Sequence, residues 1–337
     1  MHPRPNAARI AGALVALLLI AACTDRGTSP LAPSDQPAAS QGVAEQQEVL
    51  DHAVIHRTVE GQKQARASGL ASTASDLFYH GGVGGIGVET APRVYLVLWG
   101  SQWTNNDPSG EAAIVQSFLG GVGGSGWLNS VTQYCQGVAT NTFYCNGAGT
   151  AAGNPSGILV SVWFDNTVKA SSRPRQSQLA AEAVRAAGHF GNTSASSNAS
   201  AQYVIATAHG NNSSGFGTQY CAYHSSTSST YGNVAYTNLP YITDAGASCG
   251  ANFNGLGPNA GITIVGGHEL AETISDQFPN GGWLDSGGAE NGDKCAWISS
   301  GQGASANVAF STGTYPVQSL WSNAFNSGAG GCVLSYP

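Results

Sequence analysis

Residues 262–276 set four ionisable side chains, His268, Glu269, Glu272 and Asp276, into a run otherwise made of small, apolar and hydroxyl-bearing residues. A helix of this composition can bury Leu270, Ala271 and Ile274 only if its ionisable side finds water or opposite charge. Ile262, Ile264 and Val265 lead into it, and Gly266 and Gly267 permit close packing. Phe278-Pro279-Asn280-Gly281-Gly282 ends it, because proline and paired glycines do not continue a helix. Side chains four apart share one helix face, so His268 and Glu272 can point at one cation with Glu269 beside them.

Charge is scarce elsewhere, with 12 Lys+Arg and 19 Asp+Glu among 337 residues. Six of those acids, Glu269, Glu272, Asp276, Asp285, Glu290 and Asp293, fall between positions 268 and 293, where an even spread would place one or two. Mutual repulsion makes such a cluster costly unless water solvates it or a divalent cation neutralises it. A metal site is therefore expected, the alternative being a solvated helix and acidic loop.

The N-terminus reads as an export signal. Arg4 and Arg9 flank or precede the apolar run 10–22, which is short of the ~20 apolar residues of a membrane span and suits a signal-peptide core. Ile20-Ala21-Ala22-Cys23 resembles a bacterial lipobox, so residues 1–22 are expected to be a lipoprotein signal peptide and Cys23 the lipidated residue. The expected location is the cell envelope, at the outer membrane or cell surface, with membrane contact through the lipid alone; without lipidation the protein is secreted. Six further cysteines, Cys135, Cys145, Cys221, Cys249, Cys295 and Cys332, suit three disulfides in an oxidising compartment. All 15 pairings are open, and nearest-neighbour pairing is preferred because each bridge then closes a modest loop.

Residues 23–75, rich in Ser, Ala, Pro and Gln, read as a lipid-anchored flexible tether. A short, exposed polar helix is expected within 44–67, carrying Val49, His52, Ala53 and His56 along one face. Residues 76–337 are expected to form one α/β domain with a mixed sheet and glycine-rich loops. Its strands are predicted at 93–99, 157–164 and 202–208 and near Tyr220 and Val234, its helices at 111–119 and 178–190, with a shorter turn at 127–134. Loss of Arg4 and Arg9 with the leader takes the formal net charge from −7 to −9, which excludes a nucleic-acid partner.

His268-Glu269-Leu270-Ala271-Glu272, Asp276, Glu290 and Asp293 together resemble the zincin-like metallopeptidases of the thermolysin-like, glutamate-ligand type, in which an HExxH helix is followed by a ligand Glu and then an Asp. Glu290 follows Glu272 by 18 positions. That resemblance implies a zincin-like domain and a zinc-dependent endopeptidase with His268, Glu272 and Glu290 as metal ligands. Glu269 would be the general base, and Asp293 would orient His268. The departure is Glu272 in place of histidine; a carboxylate-rich shell makes Mn2+ or Ca2+ alternatives to Zn2+. A wider set, Val94-Tyr95-Leu96-Val97-Leu98-Trp99-Gly100, Trp127-Leu128-Asn129-Ser130-Val131, Cys221-Ala222-Tyr223-His224 and Gly292-Asp293-Lys294-Cys295, resembles the secreted phosphate-induced (EXORDIUM-like) proteins of plants and their bacterial relatives. That resemblance implies a non-catalytic envelope protein with a structural cation site.

His209 and His224 are candidates for polarising a substrate carbonyl or completing the metal shell. Tyr220, Tyr223, Tyr231, Tyr236, Tyr241, Trp283 and Trp297 are candidates for lining a polymer cleft or for filling the core. The expected partner is thus a peptide or protein substrate, or a cell-envelope glycan.

Overall fold

A computed structural model describes residues 50–69 and 76–336. The expected signal peptide and Cys23 lie outside the described residues. The strands β1 (Val54–Arg57), β2 (Arg93–Trp99), β3 (Leu159–Asp165), β4 (Ala201–Thr207), β5 (Tyr220–Ser229) and β6 (Gly232–Leu239) form one sheet in the order β1-β5-β6-β4-β2-β3. From β6 to β3 neighbouring strands run parallel, whereas β5 is antiparallel to both β6 and β1. The sheet is therefore mixed, as expected, and the α/β class holds.

Side-chain alternation explains how two cores form on one sheet. Along β2, Val94, Leu96 and Leu98 enter one apolar cluster and Tyr95, Val97 and Trp99 the other, the period-two pattern of a strand covered on both faces. Helix α2 (Glu111–Val122) packs on the first face through Val115, Phe118 and Leu119, and α3 (Gln176–His189) on the second through Leu179, Ala183 and Ala186. The aromatic residues Tyr220, Tyr223, Tyr236, Tyr241, Trp283 and Trp297 are all buried, so they are core and not a polymer cleft.

The site-bearing helix α4 (Ala260–Ser275) lies on the first face against α2, β5 and the hairpin β7 (Ala306–Phe310)/β8 (Gly313–Val317). Every residue in it except Gly266 is buried. The solvated helix that was the alternative to a metal site is not what forms, since the ionisable side is buried with the rest of the helix. Gly261 permits this depth, since a Cβ there would sit 1.9 Å from the carbonyl oxygen of Cys249. The helix ends where Asp276 accepts backbone N–H bonds from Asn280 (2.7 Å), Gly281 (3.1 Å) and Gly282 (2.6 Å), folding the chain back toward the cluster.

The N-terminal part departs from expectation. Within residues 50–69, assigned to the tether, a short, mostly exposed helix does lie in the expected range 44–67, as α1 (Val59–Ala67), started by the Thr58 side chain accepting from Gly61 N, but the part expected to carry His56 on that helix is β1 on the sheet edge. Val54 and Ile55 are β-branched, which favours a strand, and pairing with β5 decides it.

Disulfides join Cys135 to Cys145, Cys221 to Cys249 and Cys295 to Cys332, the nearest-neighbour set. Three bridges fit an exported protein, and no helix among the described residues is long and apolar enough to cross a membrane. Cys221–Cys249 ties β5 to the turn against which α4 begins. Its sequence separation is 28 residues, so replacing both cysteines by alanine is expected to lower stability by roughly 3–4 kcal/mol, measured by denaturant unfolding.

Candidate metal centre

Four elements deliver the cluster. Helix α4 contributes His268, Glu269 and Glu272, strand β5 contributes His224, β1 contributes His56, and the segment after α4 contributes Glu290 and Asp293. His268 and Glu272 stand one helical turn apart with Nε2 and Oε2 separated by 3.0 Å. His224 lies across from them, with Nδ1 3.3 Å from Glu269 Oε2 and 3.6 Å from Glu272 Oε2, and Nε2 3.5 Å from Glu290 Oε1.

The supporting hydrogen bonds fix which atoms face inward. Gln318 donates its amide to the carbonyls of Gly292 (2.8 Å) and Ser319 (3.2 Å), so its Oε1, 3.2 Å from His268 Nδ1, must accept. His268 Nδ1 therefore carries the proton, and the lone pair of the neutral ring is at Nε2, facing Glu272. Glu272 Oε1 accepts from Asp293 N at 2.8 Å, leaving Oε2 inward. Gly292 has no room for a side chain, because a Cβ would lie 2.7 Å from His268 Nδ1 and 2.9 Å from Glu272 Oε1.

Burial then sets the electrostatics. His268, Glu269, Glu272, His224 and Glu290 have no exposed surface. Glu269 Oε1 and Asp293 Oδ1 lack hydrogen-bond partners, while His268 Nε2 and Glu272 Oε2 face each other and His224 Nε2 faces Glu290 Oε1 at 3.5 Å. Buried polar atoms are normally fully paired, so atoms this poorly paired, packed in overlapping groups, fit a cation better than a void. Burial pulls the His268 imidazole down, but Glu272, Glu269 and Asp293 outweigh it and bring it up to about 9. Burial, opposed by His224 and reinforced by Glu272 and Asp276, holds Glu290 well above the usual carboxylate range. Burial and Glu272 push Asp293 up to about 7. Burial would raise Glu272 as well, yet His268 and His224 hold it below its ordinary value. With protons as the only counter-charge, the cluster is thus forced into unusual ionisation states, and a divalent cation would relieve them.

Comparison with family models, with curated proteins and with solved structures finds no match to this chain. The functional reading therefore stands on the site.

The ligand atoms fall into three overlapping groups: His268, Glu272 and Asp293; His224, Glu272 and Glu290; and His56, His268 and Glu269. Glu272 belongs to the first two, whereas His268 and Glu290, expected as ligands of one ion, fall in different groups. Asp293 faces His268 Nε2 at 4.0 Å, and the orienting role expected of it falls to Gln318 on Nδ1. His224 joins the centre. His209 does not, being half exposed at the end of β4, bonded to Asp244 and set edge-on to Tyr241. Gly246-Ala247-Ser248-Cys249-Gly250 has the GxSxG spacing of serine hydrolases, but it forms a 3-10 turn with Cys249 bridged and Ser248 exposed, not a strand-to-helix elbow.

Sequence reasoning missed two residues. His56 was assigned to an exposed helix because it lies four residues after His52; the β-branched pair Val54-Ile55 before it was the available strand signal. Gln318 had no local signal.

A further acid, Glu89, is buried behind α4, with its N–H donating to Ile274 O (2.8 Å) and its Oε2 accepting from Gln202 (2.8 Å). Burial raises it to about 8 despite that bond. Between the ordinary glutamate value and about pH 8 the folded chain keeps a proton that the unfolded chain releases, so stability falls as pH rises through that window. Glu89→Gln is expected to raise the melting temperature more at about pH 9 than at about pH 5, a comparison calorimetry would make directly.

Proposed function

We propose that the chain is an exported metal-dependent hydrolase, a peptidase with Glu269 as general base. The observation that carries this reading is Glu269 itself. It follows the ligand candidate His268 on the same helix, is wholly buried, and has Oε1 unpartnered while Oε2 is held by His224. The resemblance of HELAE with Glu290 and Asp293 to the glutamate-ligand zincins supports the same assignment.

His268, Glu272 and Glu290 would hold the cation, with Glu272 grouped with His268 and Asp293 on one side and with His224 and Glu290 on the other. A bound Zn2+ would supply Lewis acidity toward a carbonyl and make water more acidic; the carboxylate-rich donor set keeps Mn2+ and Ca2+ as alternatives. Glu269 Oε1 takes a proton from the attacking water as the new C–O bond forms. The same oxygen returns that proton to the leaving nitrogen as the peptide C–N bond breaks. Burial raises the Glu269 pKa and His224 opposes the rise, which suits a group that must accept and then release a proton. His224 also keeps the carboxylate from rotating. In this reading a lipid on Cys23 would anchor the protein at the cell envelope.

Glu269→Gln is expected to cut hydrolysis of an unfolded protein substrate by roughly 10²–10⁴-fold while leaving the bound metal in place, as read by elemental mass spectrometry. His268→Ala is expected to lose the metal and to lower the melting temperature. Full activity in Glu269→Gln would eliminate this residue as the base.

The enclosure of the whole cluster favours a second reading, a non-catalytic envelope lipoprotein whose cation is structural and which binds glycan or protein. Under that reading chelation lowers the melting temperature and no substrate turns over, whatever the state of the N-terminal segment.

A further inference from the structure

The cluster is closed on one side by β1. This strand adds antiparallel to β5, with Val54 opposite His224, Ile55 opposite Tyr223 and His56 opposite Ala222. Among the described residues no other strand pairs with that side of β5, so β1 occupies what would otherwise be a free sheet edge beside the reaction centre. The His56 ring stacks flat on His268, with centroids 3.8 Å apart and planes 4° from parallel, and Trp297 stacks on its other face at 4.8 Å. His56 is wholly buried, and neither ring nitrogen has a hydrogen-bond partner. It also groups with His268 and Glu269 at ligand distances.

The way this segment is held differs from the rest of the fold. None of residues 50–69 belongs to the buried members of either apolar core; Leu50, Ala53, Ile55 and Val59 touch the cores only from the margin. In α1 only Gln62 and Ala65 are buried. The attachments are polar: Gln62 donates to Asp293 O at 2.9 Å, Arg66 donates to Ala296 O, and Trp297 Nε1 donates to Arg57 O at 2.8 Å. Trp297 has a φ of 56°, a left-handed conformation that a bulky aromatic residue rarely adopts, and it is the residue that clamps His56. An element tied by hydrogen bonds and one stacked ring, with little apolar burial, opens at lower free energy than the core.

We propose that residues 50–69 are a releasable internal occupant of the site: β1 takes the edge position on β5 that an extended peptide would take, and His56 plugs the centre by stacking on His268. The meaning of that closure, latency of a hydrolase, rests on the function proposed above; the release does not. Extended peptides recognise sheet edges through main-chain hydrogen bonds, so the ligand class that competes with β1 is an unfolded peptide strand carrying an aromatic or imidazole side chain in the position of His56.

The test uses the full chain with a recognition sequence for a site-specific protease placed between Gly69 and Asp76. After cutting, a fluorescent synthetic peptide of residues 50–69 is added and its incorporation followed by anisotropy, beside the same peptide carrying His56→Ala. The expected result is exchange of the labelled peptide, with the His56→Ala peptide binding about tenfold more weakly for loss of the stack. Hydrolysis of a peptide substrate is expected to rise as the segment dissociates and to fall when the synthetic peptide is restored. Absence of exchange, or loss of cooperative unfolding once the segment leaves, would overturn the proposal and make β1 a permanent strand. Exchange without hydrolysis in any state would sustain the occupant and remove the hydrolase.

Discussion

The energetic constraint on which this structure depends is the neutralisation of acids buried against α4. Glu269, Glu272 and Glu290 are wholly enclosed, together with His224 and His268, in a region where unpaired charge is expensive. Among the described residues no lysine or arginine comes within ion-pair distance of them, and the nearest counter-charges are the two histidines. The packing brings nitrogen and oxygen donors into one small volume with their lone pairs inward, and this enclosure is what makes the cluster a candidate for a cation.

The rest of the fold serves that enclosure. Antiparallel β5 carries His224 to face the helix, and the Cys221–Cys249 bridge fixes β5 to the turn where α4 begins. Gly261 and Gly292 remove side chains at two points where backbone must approach closely, one at the helix start and one beside His268 and Glu272. Gln318 then sets the His268 tautomer from behind. Each support comes from a different part of the chain, so the geometry of the centre is a property of the assembled domain.

Much of the framework was legible beforehand. The β-branched and aromatic runs around Val94 and Val204 became central strands, because a parallel strand covered on both faces needs apolar residues at every position. The α4 helix and its end at Asp276 were legible from period and from Pro279 and the glycines after it. The N-terminal segment misled for a physical reason: His52 and His56 have helical spacing, and four residues of strand carry too little periodicity to outweigh it. Pairing with β5, a contact more than 160 residues away in sequence, decided its conformation.

By itself the sequence determined that a helix would carry His268, Glu269 and Glu272 along one side, that acids would crowd the segment after it, and that six cysteines suited an oxidising compartment. These follow from local period, spacing and composition. Only the tertiary structure decided that His224 and His56 join the cluster, that Gln318 and not Asp293 holds His268 Nδ1, that His209 stays with Asp244, and that the helix has no free polar side. Those outcomes depend on which strand lies beside α4 and on how deeply the helix is buried, and both are set by long-range packing that no local pattern encodes.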